Sequence, residues 1–403
     1  MSDLNQQWLP RIEQELESNI LGFWMKHTPD EQNGGFYGFI SRDLTVNLEA
    51  DKSLVLNTRI LWTFAAAYRM FGNEQYLNIA ERAYRYVNEH FTDREFGGLY
   101  WMVDAAGNPA ETKKQVYGQA FAIYAFSEYY RATGNDAALE QAIELFHTLE
   151  RYSYDTEYKG YFEALTREWQ ETDDNSLSEK DLNTKKSMNT HLHVMEAYTN
   201  LYRVWKSDVL RSKLKELIEI TMKHIINAEN AHFLLFFDEQ WNSKSEHISY
   251  GHDIEGSWLL VEAAEVLGDD ALLAEAKAIA IRMAEATYNE GVDEDGGLFN
   301  EADSKGLTDT DKDWWPQAEA VVGFYNAYQM TGDTKFRDAA LKSWDFIESR
   351  IIDKEHGEWH WSVTRDGSPS DNLEKVSPWK CPYHNGRACF EMIERLTGAS
   401  ASH

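Results

Sequence analysis

Residues 56 to 73 read LNTRILWTFAAAYRMFGN. From Leu56 to Phe71 the stretch is apolar on nearly every side, and it stops at Gly72 followed by Asn73. A helix of that kind has to be buried all round, Gly72 suits a left-handed C-cap, and Asn73 can cap a second helix at once. The second helix differs: Leu77, Ala80, Ala83, Tyr84, Val87 and Phe91 share one stripe, with Glu81, Arg82 and Arg85 elsewhere. One-sided burial marks an outer element. The fragment predicts an inner helix joined by a very short link to an outer one.

The fragment recurs. VYGQAFAIYAFSEYYRATGN starts at Val116, MNTHLHVMEAYTNLYRVW at Met188, HDIEGSWLLVEAAEVLGD at His252, WWPQAEAVVGFYNAYQMTGD at Trp314 and YHNGRACFEMIERLTG at Tyr383, which makes six copies. Gly134, Gly268, Gly332 and Gly398 repeat the C-cap, and Asn135, Asp269 and Asp333 repeat the N-cap. If Leu4 to Met25 opens the set and His384 to Leu396 closes it, twelve helices alternate between outer and inner positions. Between each outer helix and the next inner one lies a turn followed by β-prone aromatics: GGFYGFI at Gly34, GGLYWMV at Gly97, KGYFEAL at Lys159, FLLFFDEQW at Phe233, GGLFNEA at Gly296 and GEWHWSV at Gly357. Short links therefore fall on one face and hairpin-bearing loops on the other, where every inner helix begins. Six αα-hairpins closed into a ring leave no exposed end. The expected fold is all-α, a single (α/α)6 barrel over residues 1–403 with short β-hairpin loops on the active-site face. An open helical array serving as a scaffold is the competing arrangement.

Composition narrows the function. Seven prolines and no Pro/Gly/Ser-rich linker argue against several tethered units. With 68 acidic against 39 basic residues, the formal charge of −29 repels nucleic acid and anionic membrane surfaces. The same charge disfavours tight self-association, and a monomer acting on a neutral small molecule is expected. Cys381 and Cys389 are too few for a disulfide framework and lack zinc-site spacing. The N-terminal MSDLNQQWLPRIEQELESN is polar and acidic, and no stretch approaches a membrane span, so a cytoplasmic location without an export signal is expected.

The first turns of the inner helices carry the chemistry. They hold Arg59; Tyr117 and Gln119; Asn189, His191, His193 and Glu196; His252, Asp253 and Glu255; Trp314, Trp315, Gln317 and Glu319; and Trp379, His384, Asn385 and Arg387. Burying such groups unpaired would cost about 1–3 kcal/mol each, so they need partners or a ligand. Asn189, His193 and Glu196 share a helix face, while His191 points away from His193. His252 and Glu255, and likewise His384 and Arg387, lie three residues apart, which allows Glu255 and Arg387 each to orient its histidine or to contact substrate oxygens. Three histidines at corresponding positions of three repeats, with Arg and Trp in others, mark a functional site. Trp314, Trp315 and Trp379 sit where a flat ring can stack on a sugar face, whereas Trp62, Trp101, Trp205, Trp258 and Trp344 are expected in the core. His191 and His193 diverge on a helix and no Cys completes a ligand set, so no metal is expected. Glu255 and Glu319 could be the carboxylate pair of an inverting glycosidase, which would leave the histidines without a task.

At these residues the chain resembles the N-acylglucosamine 2-epimerase superfamily, most closely its cellobiose 2-epimerases. The resemblance runs from about Ile20 to Leu396 and includes LNTRILWTFAAAYR, SMNTHLHVMEAY, LFFDEQW, GHDIEGSWLL, WWPQAEA and PYHNGRAC. It implies an (α/α)6 barrel and reversible C2 inversion of the reducing-end glucose of β-1,4-linked disaccharides, with no cofactor. It also implies acid/base roles for His252 and His384 and a place for Arg59 beside the reacting oxygens. Asn189, His193, Glu255, Trp315, Glu319 and Trp379 match residues that hold the ring, Tyr117 matches a further contact, and Asp181 matches an aspartate at the second sugar. Related mannose 2-epimerases and aldose-ketose isomerases resemble the chain as well. A sugar-binding or protein-interaction module on the same scaffold is the alternative outside enzymes. The loop from Thr166 to Lys186 is long and polar enough to be a mobile lid.

Overall fold

The glycine stops close their helices as the sequence requires. Gly72, Gly134, Gly268, Gly332 and Gly398 all adopt left-handed backbone, with φ between 66° and 72°. Asn73, Asn135, Asp269 and Asp333 then accept hydrogen bonds from the first turn of the next helix. The third repeat has no glycine; Trp205 ends its inner helix and Ser207 caps the next.

The computed structural model describes residues 3–398 other than Lys180 and Leu373. Outer and inner helices alternate. They are α1 (Asp3–Gln14, continuing through Glu15–Leu21 and Gly22–His27), α2 (Leu54–Phe71), α3 (Glu74–Tyr86), α4 (Val116–Thr133), α5 (Asp136–Tyr152) and α6 (Met188–Val204), followed by α7 (Asp208–Ile220), α8 (Tyr250–Leu267), α9 (Asp270–Glu290), α10 (Trp314–Thr331), α11 (Thr334–Phe346) and α12 (Tyr383–Thr397). Each even-numbered helix packs on the next even-numbered one, and α12 packs back on α2. The short strands show the same closure. Lys52–Ser53 pairs antiparallel with Met102–Val103, Lys114–Gln115 with Ala164–Leu165, and Lys186–Ser187 with Phe236–Phe237. Ile248–Ser249 pairs with Glu301–Asp303 and Lys312–Asp313 with Ser362–Val363. The last strand, Glu374–Val376, returns to the first repeat, with Ile40 opposite Val376. The ring closes, and an open array is ruled out.

A buried lysine pins most of the turns that lead into this ring. Lys52 reaches Asp30 at 2.8 Å, Lys114 reaches Asp93 at 2.8 Å, Lys186 reaches Asp155 at 2.7 Å, Lys312 reaches Asp293 at 2.8 Å and Lys375 reaches Asp353 at 2.8 Å. The aspartates also accept backbone N–H groups of their own turns, as Asp30 does from Gln32 and Asn33. Removing one partner of such a buried pair costs about 3–5 kcal/mol. Before α8 the pair is replaced by two uncharged residues, Asn227 and Ile248, and a cavity of about 580 Å³ lined by both opens there. Its lining does not include His193, His252 or His384.

Of the expected core tryptophans, Trp62, Trp101, Trp258 and Trp344 are buried, and Trp205, at the end of its helix, is half-buried. Among the described residues no helix is long and apolar enough to cross a membrane.

Candidate active site

The start of most inner helices is held to a neighbouring segment by the fourth residue. Gln119 accepts from the Leu99 N–H at 2.9 Å and donates to the Leu99 carbonyl at 2.8 Å, and Gln317 does the same at Leu298. His191 donates from Nδ1 to the Ser187 carbonyl and accepts at Nε2 from the Tyr161 N–H, which leaves it neutral and fully used. Asp253 accepts from the Phe233 N–H. These polar side chains, expected from sequence to need partners or a ligand, find their partners in the protein and staple strands to helices.

The third and sixth residues, one turn apart on the same face, carry the site. Counting from Leu54, Val116, Met188, Tyr250 and Trp314, and from the capping Pro382 in α12, the sixth residues are Arg59, Phe121, His193, Glu255, Glu319 and Arg387. His252 and His384 both occupy the third position, whereas His193 lies one turn deeper. The three histidines thus do not stand at corresponding positions; two of them do.

Arg387 is the hub of the deeper layer. Its Nη2 donates to Glu255 Oε1 and to Glu319 Oε1, both at 2.6 Å, and its Nη1 donates to Glu196 Oε1 and Tyr383 Oη. Three carboxylates thus surround one guanidinium. Burial would raise Glu196, but the Arg387 charge and the bond from His193 hold it down at about 2. Burial and repulsion from Glu319 push Glu255 well above the usual carboxylate range. Glu319 is also raised by burial, against the pull of Arg387. Glu319 accepts three N–H groups, from His384, Arg387 and Trp258, whereas Glu255 Oε2 has no partner. That inventory favours the proton on Glu255 and the charge on Glu319.

Each imidazole is held at Nδ1. His193 donates to Glu196 at 2.8 Å, His384 donates to Glu319 at 2.6 Å, and His252 meets the Ser249 hydroxyl at 2.8 Å. Two possibilities that the spacing allowed are closed here. Glu255 does not orient His252, because Arg387 draws it inward; and Arg387, 2% exposed, neither orients His384 nor is open to a substrate. Burial pulls His252 down to about 3, and burial with the Arg59 and Arg387 charges holds His384 well below its ordinary value. Both rings are neutral near pH 7. They flank one indole: the Trp315 ring lies 4.6 Å from His252 and 5.4 Å from His384.

Arg59 lies under the opposite wall, its Nη2 donating to Tyr117 Oη at 2.7 Å and its guanidinium 4.4 Å from the Phe121 ring. Among the described residues it has no carboxylate partner, and its buried Nε is unpaired. Tyr117 in turn contacts His193 at 5.1 Å and Trp379 at 5.8 Å. Trp379 meets Trp101, which is buried as the sequence leads one to expect, and both line a cavity of about 220 Å³ with Leu177, Ser178 and Glu179. Asp181 accepts from Ser178 at 2.9 Å on that loop. The loop is tied down by Arg167 to Asp93 and by Trp169 to the Phe96 carbonyl. Asn189 is half-buried with Oδ1 unpaired, and Trp314 is turned away against Trp361, contrary to its expected place at the mouth.

Two alternative chemistries meet this geometry. Glu255, Glu319 and His384 offer ligand atoms within 4.8 Å of one another, but a metal ion there would compete with the guanidinium already bonded to both carboxylates. The same spacing is too short for an inverting glycosidase pair, which needs about 6.5–9.5 Å. Tyr383, Phe121 and Ser249 belong to the site and were not singled out from the sequence.

Residues 34–388 match the sequence profile of the N-acylglucosamine 2-epimerase (GlcNAc 2-epimerase) family. The chain belongs to that family. Among 2-epimerase relatives, the cellobiose 2-epimerase of Bacteroides fragilis is 49% identical over 383 residues, covering 95% of this chain and 97% of that protein. The cellobiose 2-epimerase of Ruminococcus albus is 44% identical, covering 96% and 98%. The solved cellobiose 2-epimerase from Bacillus thermoamylovorans B4167 superposes with a TM-score of 0.93 at 42% identity, covering 97% of this chain and all of that one. Family membership and the closed ring of helical hairpins agree, and the fold is the (α/α)6 barrel.

Proposed function

We propose that the chain catalyses reversible epimerisation at C2 of the reducing-end glucose of β-1,4-linked disaccharides, turning cellobiose into glucosyl-mannose. One observation carries the reading: two neutral imidazoles from different repeats, His252 and His384, face one indole with Nδ1 held and, among the described residues, no hydrogen-bond partner at Nε2. The C2 proton becomes acidic only after the ring opens to expose the C1 carbonyl. One imidazole then takes that proton, and a cis-enediolate forms. Arg59, lacking a carboxylate of its own, is suited to stabilise the charge that develops on oxygen. Ring opening moves the C1 hydroxyl proton to the ring oxygen; the other imidazole, protonated from solvent, then returns a proton to C2 from the opposite face, and the first gives its proton back to solvent. Rotation about C2–C3 presents that face.

In this scheme Trp315 and Trp379 provide flat apolar surfaces for sugar rings, and Tyr117, Asn189, His193, Glu255 and Glu319 hold the reacting ring or its neighbours in place. Asp181 serves the second sugar. The choice of a disaccharide rests on the names of the relatives at 49% and 44% identity. Chromatography of products from cellobiose tests it: a mannose-ended disaccharide is expected. A ketose as principal product would mean an aldose-ketose isomerase, turnover of free mannose alone would mean a mannose 2-epimerase, and tight sugar binding without turnover would mean a binding module.

A further inference from the structure

The serine before α8 behaves unlike its counterparts. Ser53 before α2 and Ser187 before α6 cap their helices, accepting from the Leu56 and Thr190 N–H groups. Ser249 occupies the same N-cap place with extended backbone, yet its side chain makes no capping bond. Its hydroxyl is turned instead to Nδ1 of His252, the third residue of its helix, at 2.8 Å. A serine cap contributes about 1 kcal/mol; here that contribution is given up for a contact with a side chain of the site. The serine is 7% exposed, and its strand is fixed opposite Glu301.

His252 also differs from the other two site histidines. His193 and His384 rest on carboxylates, Glu196 and Glu319, which fix their Nδ1 as a donor. A hydroxyl can accept from Nδ1–H or donate to a bare Nδ1, and it brings no charge. The charged and titratable groups acting on His252 from other elements are His193 of α6, Glu319 of α10 and Arg59 of α2, with Glu255 on its own helix. None of them bonds its Nδ1.

We infer that Ser249 is a positioning residue for His252: by accepting Nδ1–H it aims the lone pair of Nε2 at the sugar, and by being uncharged it makes the His252 imidazolium the readier proton donor of the pair. The His384–Glu319 pair is correspondingly the stronger base. This rests on His252 being an acid/base group of the proposed reaction.

Selective ¹⁵N labelling of histidine in the free protein reads the tautomer without any substrate. The wild type is expected to show His252 as a single Nδ1–H tautomer, and Ser249→Ala a mixture. Ser249→Ala is also expected to lower kcat roughly tenfold with KM little changed, while Ser249→Thr, which keeps the hydroxyl, restores most of it. Ser249→Asp moves the His252 titration upward. An unchanged His252 spectrum in Ser249→Ala, or equal losses in the Ala and Thr variants, would overturn the inference. Failure of the wild type to epimerise any sugar would instead overturn the functional reading, and the tautomer result would stand apart from it.

Discussion

Replacing Arg387 by methionine keeps an unbranched stem but removes the guanidinium that Glu196, Glu255 and Glu319 share, carboxylates that are 3%, 0% and 1% exposed. Glu255 and Glu319 are already raised by burial in the wild type, so the burden falls on Glu196, which the wild type holds at about 2. Without Arg387 its folded-state pKa rises above the unfolded value of about 4.3. The deficit is therefore absent only below the wild-type value and grows by about 1.4 kcal/mol per pH unit above it for as long as the variant's carboxyl stays protonated. That amounts to about 4 kcal/mol at pH 5 and about 7 kcal/mol at pH 7. In the wild type Glu196 stays ionised across this range, so its share of the pH dependence belongs to the variant. Urea unfolding followed by circular dichroism, for both proteins at both pH values, measures it. A deficit under about 1 kcal/mol at pH 7, or one equal at pH 5 and pH 7, would refute the hub role of Arg387.

Other expectations concern catalysis. His252→Ala and His384→Ala should each lower kcat at least about 100-fold while leaving the unfolding midpoint nearly unchanged; near-normal turnover in either ends the two-histidine scheme. Because His252 is pulled down to about 3 and Glu255 is held protonated by burial and by Glu319, kcat/KM should be flat through the neutral range and fall on the alkaline side as Glu255 ionises. Glu255→Gln should remove that alkaline limb, and its persistence would detach Glu255 from it. Asp181→Ala should raise KM for cellobiose roughly tenfold and leave KM for mannose unchanged; equal changes for both sugars would take Asp181 away from the second sugar.

Much of this architecture is legible in the sequence because its signals are local. An all-round apolar helix ending in Gly-Asn or Gly-Asp, as at Phe71 to Asn73, specifies burial, a stop and an immediate restart. Six inner helices, four of them ending in this way, imply a ring, and a ring implies that Arg59, His193, His252, Glu255, Glu319 and His384 converge. Partnerships inside the ring are not local. The i, i+3 spacing of His252 and Glu255 shows only a shared face, and Arg387, arriving from another repeat, wins the carboxylate. His384 likewise takes its partner from α10, a choice that depends on helix separation and rotation about the ring axis. Trp314 and Trp315 are adjacent, and sequence does not say which faces inward; the structure turns Trp315 to the histidines and Trp314 to Trp361. Ser249 escaped notice because a serine before a helix ordinarily reads as a cap.

The central claim is that C2 inverts by proton transfer between imidazoles. Incubating the purified protein, treated with EDTA, with cellobiose in heavy water and following the products by NMR tests it most directly. The account predicts a mannose-ended disaccharide bearing deuterium at C2. Epimer formed without deuterium at C2, or no exchange with either cellobiose or mannose, would contradict it.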